Sequence, residues 1–136
     1  MNLKAQNQIN MTISTIKSVA QNINILLVDN NGISTNELRN ILESVHFTVY
    51  QVNDIENISS YLKNLEIDLI VVNQNQFLKQ EKCIEIIKSL NKPVLVIASL
   101  FFINLQKELS EFNHVFVLRL PKSKEEIIQT IVSKSL

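Results

Sequence analysis

The sequence predicts an α/β domain in which a parallel five-stranded sheet carries helices on both faces, and three observations point there. From Asn24 onward, short β-branched runs alternate with stretches of helical period. Ile67–Val72 is apolar at nearly every position rather than at every second one, the pattern of a strand covered on both faces. The 136 residues, 46% of them hydrophobic, are enough to bury one core of ordinary size without disulfide or metal staples.

The elements follow in order. Asn24–Val28 reads as the first strand and runs into Asp29, Asn30 and Asn31. Leu38, Ile41, Leu42 and Val45 then keep the i, i+3, i+4, i+7 spacing of an amphipathic helix, and Ser34 with Glu37 forms a capping box at its start. Phe47–Val52 is the second strand, and Ile58, Tyr61, Leu62 and Leu65 mark the second helix. The third strand ends at Asn73, and Cys83, Ile86, Ile87 and Leu90 give the third helix. Pro93 stops that helix and opens a fourth strand running through Ala98. Leu105, Leu109 and Phe112 suggest a short fourth helix, and Val115–Arg119 is the fifth strand. Ser123 and Glu126 make a second capping box for a final helix whose Ile127, Ile128, Ile131 and Val132 face inward. Strict alternation of this kind fits a doubly wound sheet of flavodoxin-like order 2-1-3-4-5, where sites form at the carboxyl ends of the strands. That edge holds Asp29, Asn30, Asn73, Ala98, Ser99 and Leu120.

Residues 1–22 stand apart from the domain at 23–136. They are polar, and Ile9, Ile13, Ile16 and Ala20 recur at roughly helical spacing, so the segment is either an added amphipathic helix or a frayed leader.

Composition removes several function classes. Thirteen basic and thirteen acidic residues cancel, which leaves no electrostatic footprint for direct nucleic-acid binding. Gly32 is the one glycine, so neither a phosphate-cradling glycine loop nor a dinucleotide fingerprint can be built. Cys83 is the one cysteine and fills an apolar helix position, which excludes an intrachain disulfide and a thiolate metal cluster. The longest apolar run, about Val94–Ile103, is short of the roughly 18 residues of a membrane span. With no signal-peptide pattern in the first residues, a soluble cytoplasmic protein without a bound cofactor is expected. His46 and His114 fall in connections, with no serine, cysteine or paired acid arranged about them by motif, and read as surface residues.

Four segments together, Asn24–Asn31, Asp68–Asn73, Lys92–Ser99 and Leu118–Pro121, resemble the receiver domain of two-component response regulators over about Ile23 to Leu136. The resemblance implies a site in which two adjacent acids after the first strand and an acceptor aspartate after the third hold magnesium. The acceptor then attacks a phosphoryl group whose charge the metal neutralises. Here Asp29 keeps the first acid, Asn30 stands at the second and Asn73 at the acceptor position. An amide has no anionic oxygen with which to attack phosphorus, and Asp29 alone would bind magnesium weakly at best. Matching from Pro93 puts Ala98 at the switch hydroxyl, with Ser99 one place later; matching from Pro121 puts Leu120 at the lysine that grips the phosphoryl oxygens. Strand alternation sends Arg119 to the opposite face. A cis peptide at Leu120–Pro121, if kept from the family, would serve as a structural turn.

The resemblance therefore implies a degenerate receiver, or pseudo-receiver: not an enzyme, but a phosphorylation-independent interaction module in signalling or transcriptional regulation. Its partner would be a kinase, regulator or transcription component, with a homodimer as a further arrangement and no direct contact with nucleic acid or membrane. Receivers signal through the face of their fourth helix, fifth strand and fifth helix, where Phe101, Phe102, Leu105, Phe112 and Lys122 lie. The same aromatics could instead close the core beneath a short helix. An alternative reading is a small flavodoxin-like domain that binds a small molecule at the strand ends.

Overall fold

The computed structural model describes residues 13–29, 33–79, 82–99 and 103–136. In chain order the elements are α1 (Ile13–Ala20), β1 (Asn24–Val28), α2 (Ile33–Ser44), β2 (Thr48–Val52), a 3-10 turn (Ile55–Asn57), α3 (Ile58–Asn64) and β3 (Leu69–Asn73). These are followed by α4 (Asn75–Lys79), α5 (Cys83–Ser89), β4 (Val94–Ala98), α6 (Ile103–Leu109), β5 (Val115–Arg119) and α7 (Lys124–Ser135). The strands pair in parallel in the order β2-β1-β3-β4-β5, as the sequence pattern predicts. Val28 lies beside Val52 and Val72, and Ile97 beside Asn73 and Leu118, so the carboxyl ends of the strands form one edge.

Side chains alternate between two apolar layers, which is why the central strands are apolar throughout. Ile25, Leu27, Leu69, Val71, Leu95, Ile97 and Leu118 face one layer, where Leu42 of α2 and Ile127, Ile128, Ile131 and Val132 of α7 cover them. Leu26, Val28, Ile70, Val72, Val94 and Val96 face the other, covered by Ile58, Cys83, Ile87 and Leu109. Each helical stripe read from the sequence thus has a sheet face to cover.

Helix α1 belongs to the first layer. Ala20 is fully buried there, and Ile16 and Val19 pack against the same cluster. The helical alternative for the N-terminal segment is the one realised over Ile13–Ala20; Ile9 lies outside the described residues.

Three local expectations change. Helix α2 begins at Ile33, so Ser34 sits inside its first turn and is not the cap. The stretch after β3 forms a separate short helix, α4, ahead of α5, because the Asn73 side-chain oxygen accepts from the Asn75 amide at 2.9 Å and starts a turn at once. His114 is half-buried rather than a free surface residue, and its Nε2 lies 2.8 Å from the Ile87 carbonyl. At the other capping box, Ser123 is the N-cap and its hydroxyl accepts from the Glu126 amide at 3.1 Å.

His46 is exposed but carries a structural duty. It adopts φ 74° at the end of α2, where its amide donates to the Glu43 carbonyl at 3.0 Å and the Phe47 amide to the Leu42 carbonyl at 3.1 Å. This is the paired termination that favours glycine, since a Cβ opposes the left-handed backbone. Replacing His46 with glycine should therefore stabilise the fold, by up to about 1 kcal/mol, measured as a raised urea midpoint at unchanged slope.

Cys83 is fully buried, and burial pushes its thiol up from 9.0 to about 12. The folded protein keeps a proton that the unfolded chain releases. This contribution to stability is complete below about pH 9 and is lost as the pH rises toward about 12, with a slope of up to about 1.4 kcal/mol per pH unit. Urea midpoints between pH 8 and 10.5 should fall more steeply for the wild type than for Cys83→Ala, and equal slopes would contradict the assignment. The native thiol should also resist disulfide reagents until the chain unfolds.

Among the described residues, no helix is long and apolar enough to cross a membrane.

Candidate functional site

The carboxyl edge of the sheet opens into a cleft of about 330 Å³ between α2 and the start of α7. Its floor is aliphatic: Leu27, Val71 and Ile97 come from three adjacent strands, Leu38 and Ile41 from α2, and Leu120 and Ile127 close the far side. The rim is polar, formed by Asp29, Ser34, Thr35, Glu37, Asn73, Gln74, Asn75 and Ser99. The floor follows from sheet geometry. Leu27 and Val71 are register neighbours, Ile97 lies two residues beyond Leu95, the neighbour of Val71 on β4, and all three face the layer covered by α2 and α7.

Asp29 leaves β1 with its amide bonded to the Val52 carbonyl at 3.0 Å, which fixes where its carboxylate points. It is 6% exposed, and its Oδ2 accepts from the Thr35 hydroxyl in the first turn of α2. Glutamine 51 extends the arrangement: Gln51 Nε2 donates to the Asp29 carbonyl at 3.4 Å, and its Oε1 accepts from Arg39 at 3.0 Å. These bonds tie the end of β1 to α2 and to the edge strand β2.

Asn73 lines the cleft, but its side-chain oxygen is engaged with the Asn75 amide, so the amide serves the turn into α4. Gln74, next in sequence, bridges to β4. Its Oε1 accepts from the Ser99 amide and its Nε2 donates to the Ser99 hydroxyl, both at 2.8 Å, while its own amide donates to the Ile97 carbonyl at 3.0 Å. Ser99 is thus held by a two-pronged clamp rather than presented to the cleft as a free hydroxyl. Ala98, a buried residue, also lines the cleft.

At the end of β5, Arg119 and Leu120 part as alternation requires. The Arg119 guanidinium donates to Gln106 of α6, whereas Leu120 packs against the α2/α7 layer and lines the cleft. The Leu120–Pro121 peptide is cis. Asp29, Asn73, Ala98 and Leu120 are therefore brought together around one cleft; Asn30 lies outside the described residues. Among the described residues, no group of three or more His, Cys, Asp or Glu side chains is placed to hold a metal ion.

Of the residues predicted for a partner face, Leu105 and Phe112 are half-buried against the second apolar layer, and the Phe112 ring lies 6.3 Å from that of His114. Lys122 is exposed, 3.9 Å from Glu126, and Phe101 and Phe102 fall outside the described residues.

Sequence reasoning missed Thr35, Gln74 and Gln76. Gln76 is the most buried of the three at 0% exposure; its Oε1 accepts from the Ile55 amide and its Nε2 donates to the Asn53 carbonyl, both at 3.0 Å. It fastens the loop after β2 to α4. The run Gln74-Asn75-Gln76 reads as a solvated loop, and no periodicity within it marks one glutamine as interior.

No protein-family model matches the sequence, and no curated protein matches it. Solved structures do share its architecture. The response regulator receiver protein from Pseudomonas putida superposes with a TM-score of 0.68 at 16% identity, over 82% of this chain and 96% of that one. The chemotaxis response regulator CheY4 of Vibrio cholerae gives 0.63 at 16% identity, over 84% and 98%. The lysine decarboxylase LdcF of Francisella novicida gives 0.63 at 19% identity over 82% of this chain, which spans 17% of the length of that enzyme. At such identities the likeness is one of fold, and the fold of this chain is that of a response regulator receiver domain.

Proposed function

We propose that the chain is a degenerate receiver, a cytoplasmic module that regulates a protein partner without accepting a phosphoryl group and without turnover of its own. The observation that carries this reading is the chemistry around the cleft: an asparagine, an alanine and a leucine at Asn73, Ala98 and Leu120, gathered with the carboxylate of Asp29. Phosphoryl transfer to protein needs an anionic nucleophile, metal-binding oxygens and a cation for the phosphoryl oxygens. None of these three residues supplies one.

The remaining function in this reading is contact. Arg119, Lys122 and Lys124 are exposed around β5 and the start of α7, and form a polar rim on the face through which receivers engage partners. Leu105 and Phe112, half-buried, stay with Lys122 among the residues proposed for that face. Partners of the kinase, regulator or transcription class, or a second copy of the chain, fit the reading.

The test is affinity capture from native lysate followed by mass spectrometry, with the wild type beside a variant carrying Arg119→Glu and Lys122→Glu. A signalling or transcription component recovered by the wild type and lost with the variant is the expected result. A partner retained at full yield would place recognition elsewhere. Recovery of none would count against the module reading.

A further inference from the structure

We propose that the cleft at the carboxyl ends of the strands binds a small amphipathic amine: an aliphatic or aryl body carrying one protonated nitrogen. Three observations select this class. The floor is built from Leu27, Val71, Ile97, Leu120 and Ile127 and offers no polar side chain, so the inner part of a ligand must be apolar. The rim holds the carboxylates of Asp29 and Glu37, and the described lining residues include no lysine, arginine or histidine. An anion such as a phosphate or a carboxylic acid would meet two like charges and no counter-charge, whereas an ammonium would meet two acceptors.

The third observation is the state of Asp29. The residue is 6% exposed, and its carboxylate is held by the Thr35 hydroxyl, a neutral donor. The ion pairs among the described residues, Arg39–Glu43 and Lys122–Glu126, do not include it. A buried carboxylate without a cationic partner is costly, and a ligand ammonium at the rim would supply that partner while its body packs on the aliphatic floor. The volume, about 330 Å³, lies at the small end of the roughly 300–1,000 Å³ range of ligand sites, so the occupant is a small molecule rather than a peptide segment. Leu120 is decisive for the floor: a lysine there would bring a cation into the cleft and repel the proposed head group.

The proposal rests on the reading that phosphoryl chemistry has left this cleft. Its test contains no phosphoryl donor, so the two can fail separately. The full 15N-labelled chain is titrated with hexylamine, hexanol and hexanoate at pH 7 and followed by amide shifts. Hexylamine should give saturable shifts centred on Asp29, Asn73, Ser99 and Leu120. Hexanol should bind at least tenfold more weakly, and hexanoate should not bind. Asp29→Asn should weaken hexylamine several-fold, and Asp29→Asn with Glu37→Gln should bring amine and alcohol to equal affinity; if the Asp29 variants do not fold, Glu37→Gln alone at the exposed rim should weaken hexylamine several-fold and leave hexanol unchanged. Leu120→Lys should abolish hexylamine binding while keeping a dispersed, folded spectrum. Absence of saturable binding by hexylamine, hexanoate binding as tightly as hexylamine, or an undiminished amine preference after loss of Asp29, of Glu37 or of both carboxylates would each overturn the proposal.

Discussion

Incubated with acetyl phosphate and magnesium, the wild-type chain should keep its unmodified mass, whereas a variant carrying Asn30→Asp, Asn73→Asp and Leu120→Lys should gain one phosphoryl group. The difference is qualitative because each substitution restores a separate requirement. At position 73 the carboxylate supplies a nucleophile that the amide cannot be, since an amide oxygen has no full negative charge to deliver to phosphorus. Position 120 lies against the cleft beside Ile127, so a lysine there would reach the phosphoryl oxygens that leucine leaves uncompensated. At position 30 the second acid would join Asp29 in holding a magnesium ion, which gives up its waters reluctantly and needs more than one carboxylate. Asn73→Asp alone restores the nucleophile but not its electrostatic surroundings. Its rate should fall short of the triple variant by at least about tenfold, or about 1.4 kcal/mol of barrier. A phosphorylated wild-type chain would sink the proposed role of Asn73. An inert triple variant with a native spectrum would sink the assignment of the three positions.

The second large effect is structural and concerns Gln76. Replacing it with alanine should lower the unfolding free energy by about 2–4 kcal/mol, a substantial part of the about 5–15 kcal/mol that holds a domain of this kind together. Both ends of the Gln76 amide are used, on the Ile55 amide and the Asn53 carbonyl, and the residue is fully buried. Truncation leaves the Ile55 donor without a partner inside the fold, and a cavity where the side chain was. Gln76→Met separates the two contributions, because it nearly restores the volume and restores neither hydrogen bond. It should recover less than half of the loss. The measurement is urea unfolding at constant slope, and a shift of less than about 0.5 kcal/mol for the alanine variant would mean that the loop after β2 finds its bonds elsewhere. The same loop sets the level of the carboxyl edge next to Asp29, whose amide bonds to Val52, so a cleft less well formed in Gln76→Ala would also bind hexylamine more weakly.

Much of the fold was legible because it depends on local pattern. The apolar stripes Leu38–Ile41–Leu42–Val45 and Ile127–Ile128–Ile131–Val132 have one face each, and the continuous runs of β1, β3 and β4 have two, so helices must lie on both sides of a parallel sheet. The position of the site followed from the same logic, since a doubly wound sheet gathers the ends of its strands on one edge. Asp29, Asn73, Ala98 and Leu120 could therefore be placed together from the sequence, and in the structure they line one cleft.

What the sequence could not determine is which polar groups satisfy one another across that edge. Thr35 reaches Asp29 from the first turn of α2, Gln74 reaches Ser99 from the end of β3 to the end of β4, and Gln76 is buried by a turn that Asn73 begins. The start of α2 at Ile33, rather than after Ser34, belongs with these, as does the contact of His114 with the Ile87 carbonyl. Apolar periodicity is written residue by residue, because burial acts on each side chain in proportion to its own area. Hydrogen bonds between distant residues depend on distances and angles that exist only once the chain has closed, and so the sequence determined the sheet and its edge while tertiary structure alone decided the chemistry of the rim.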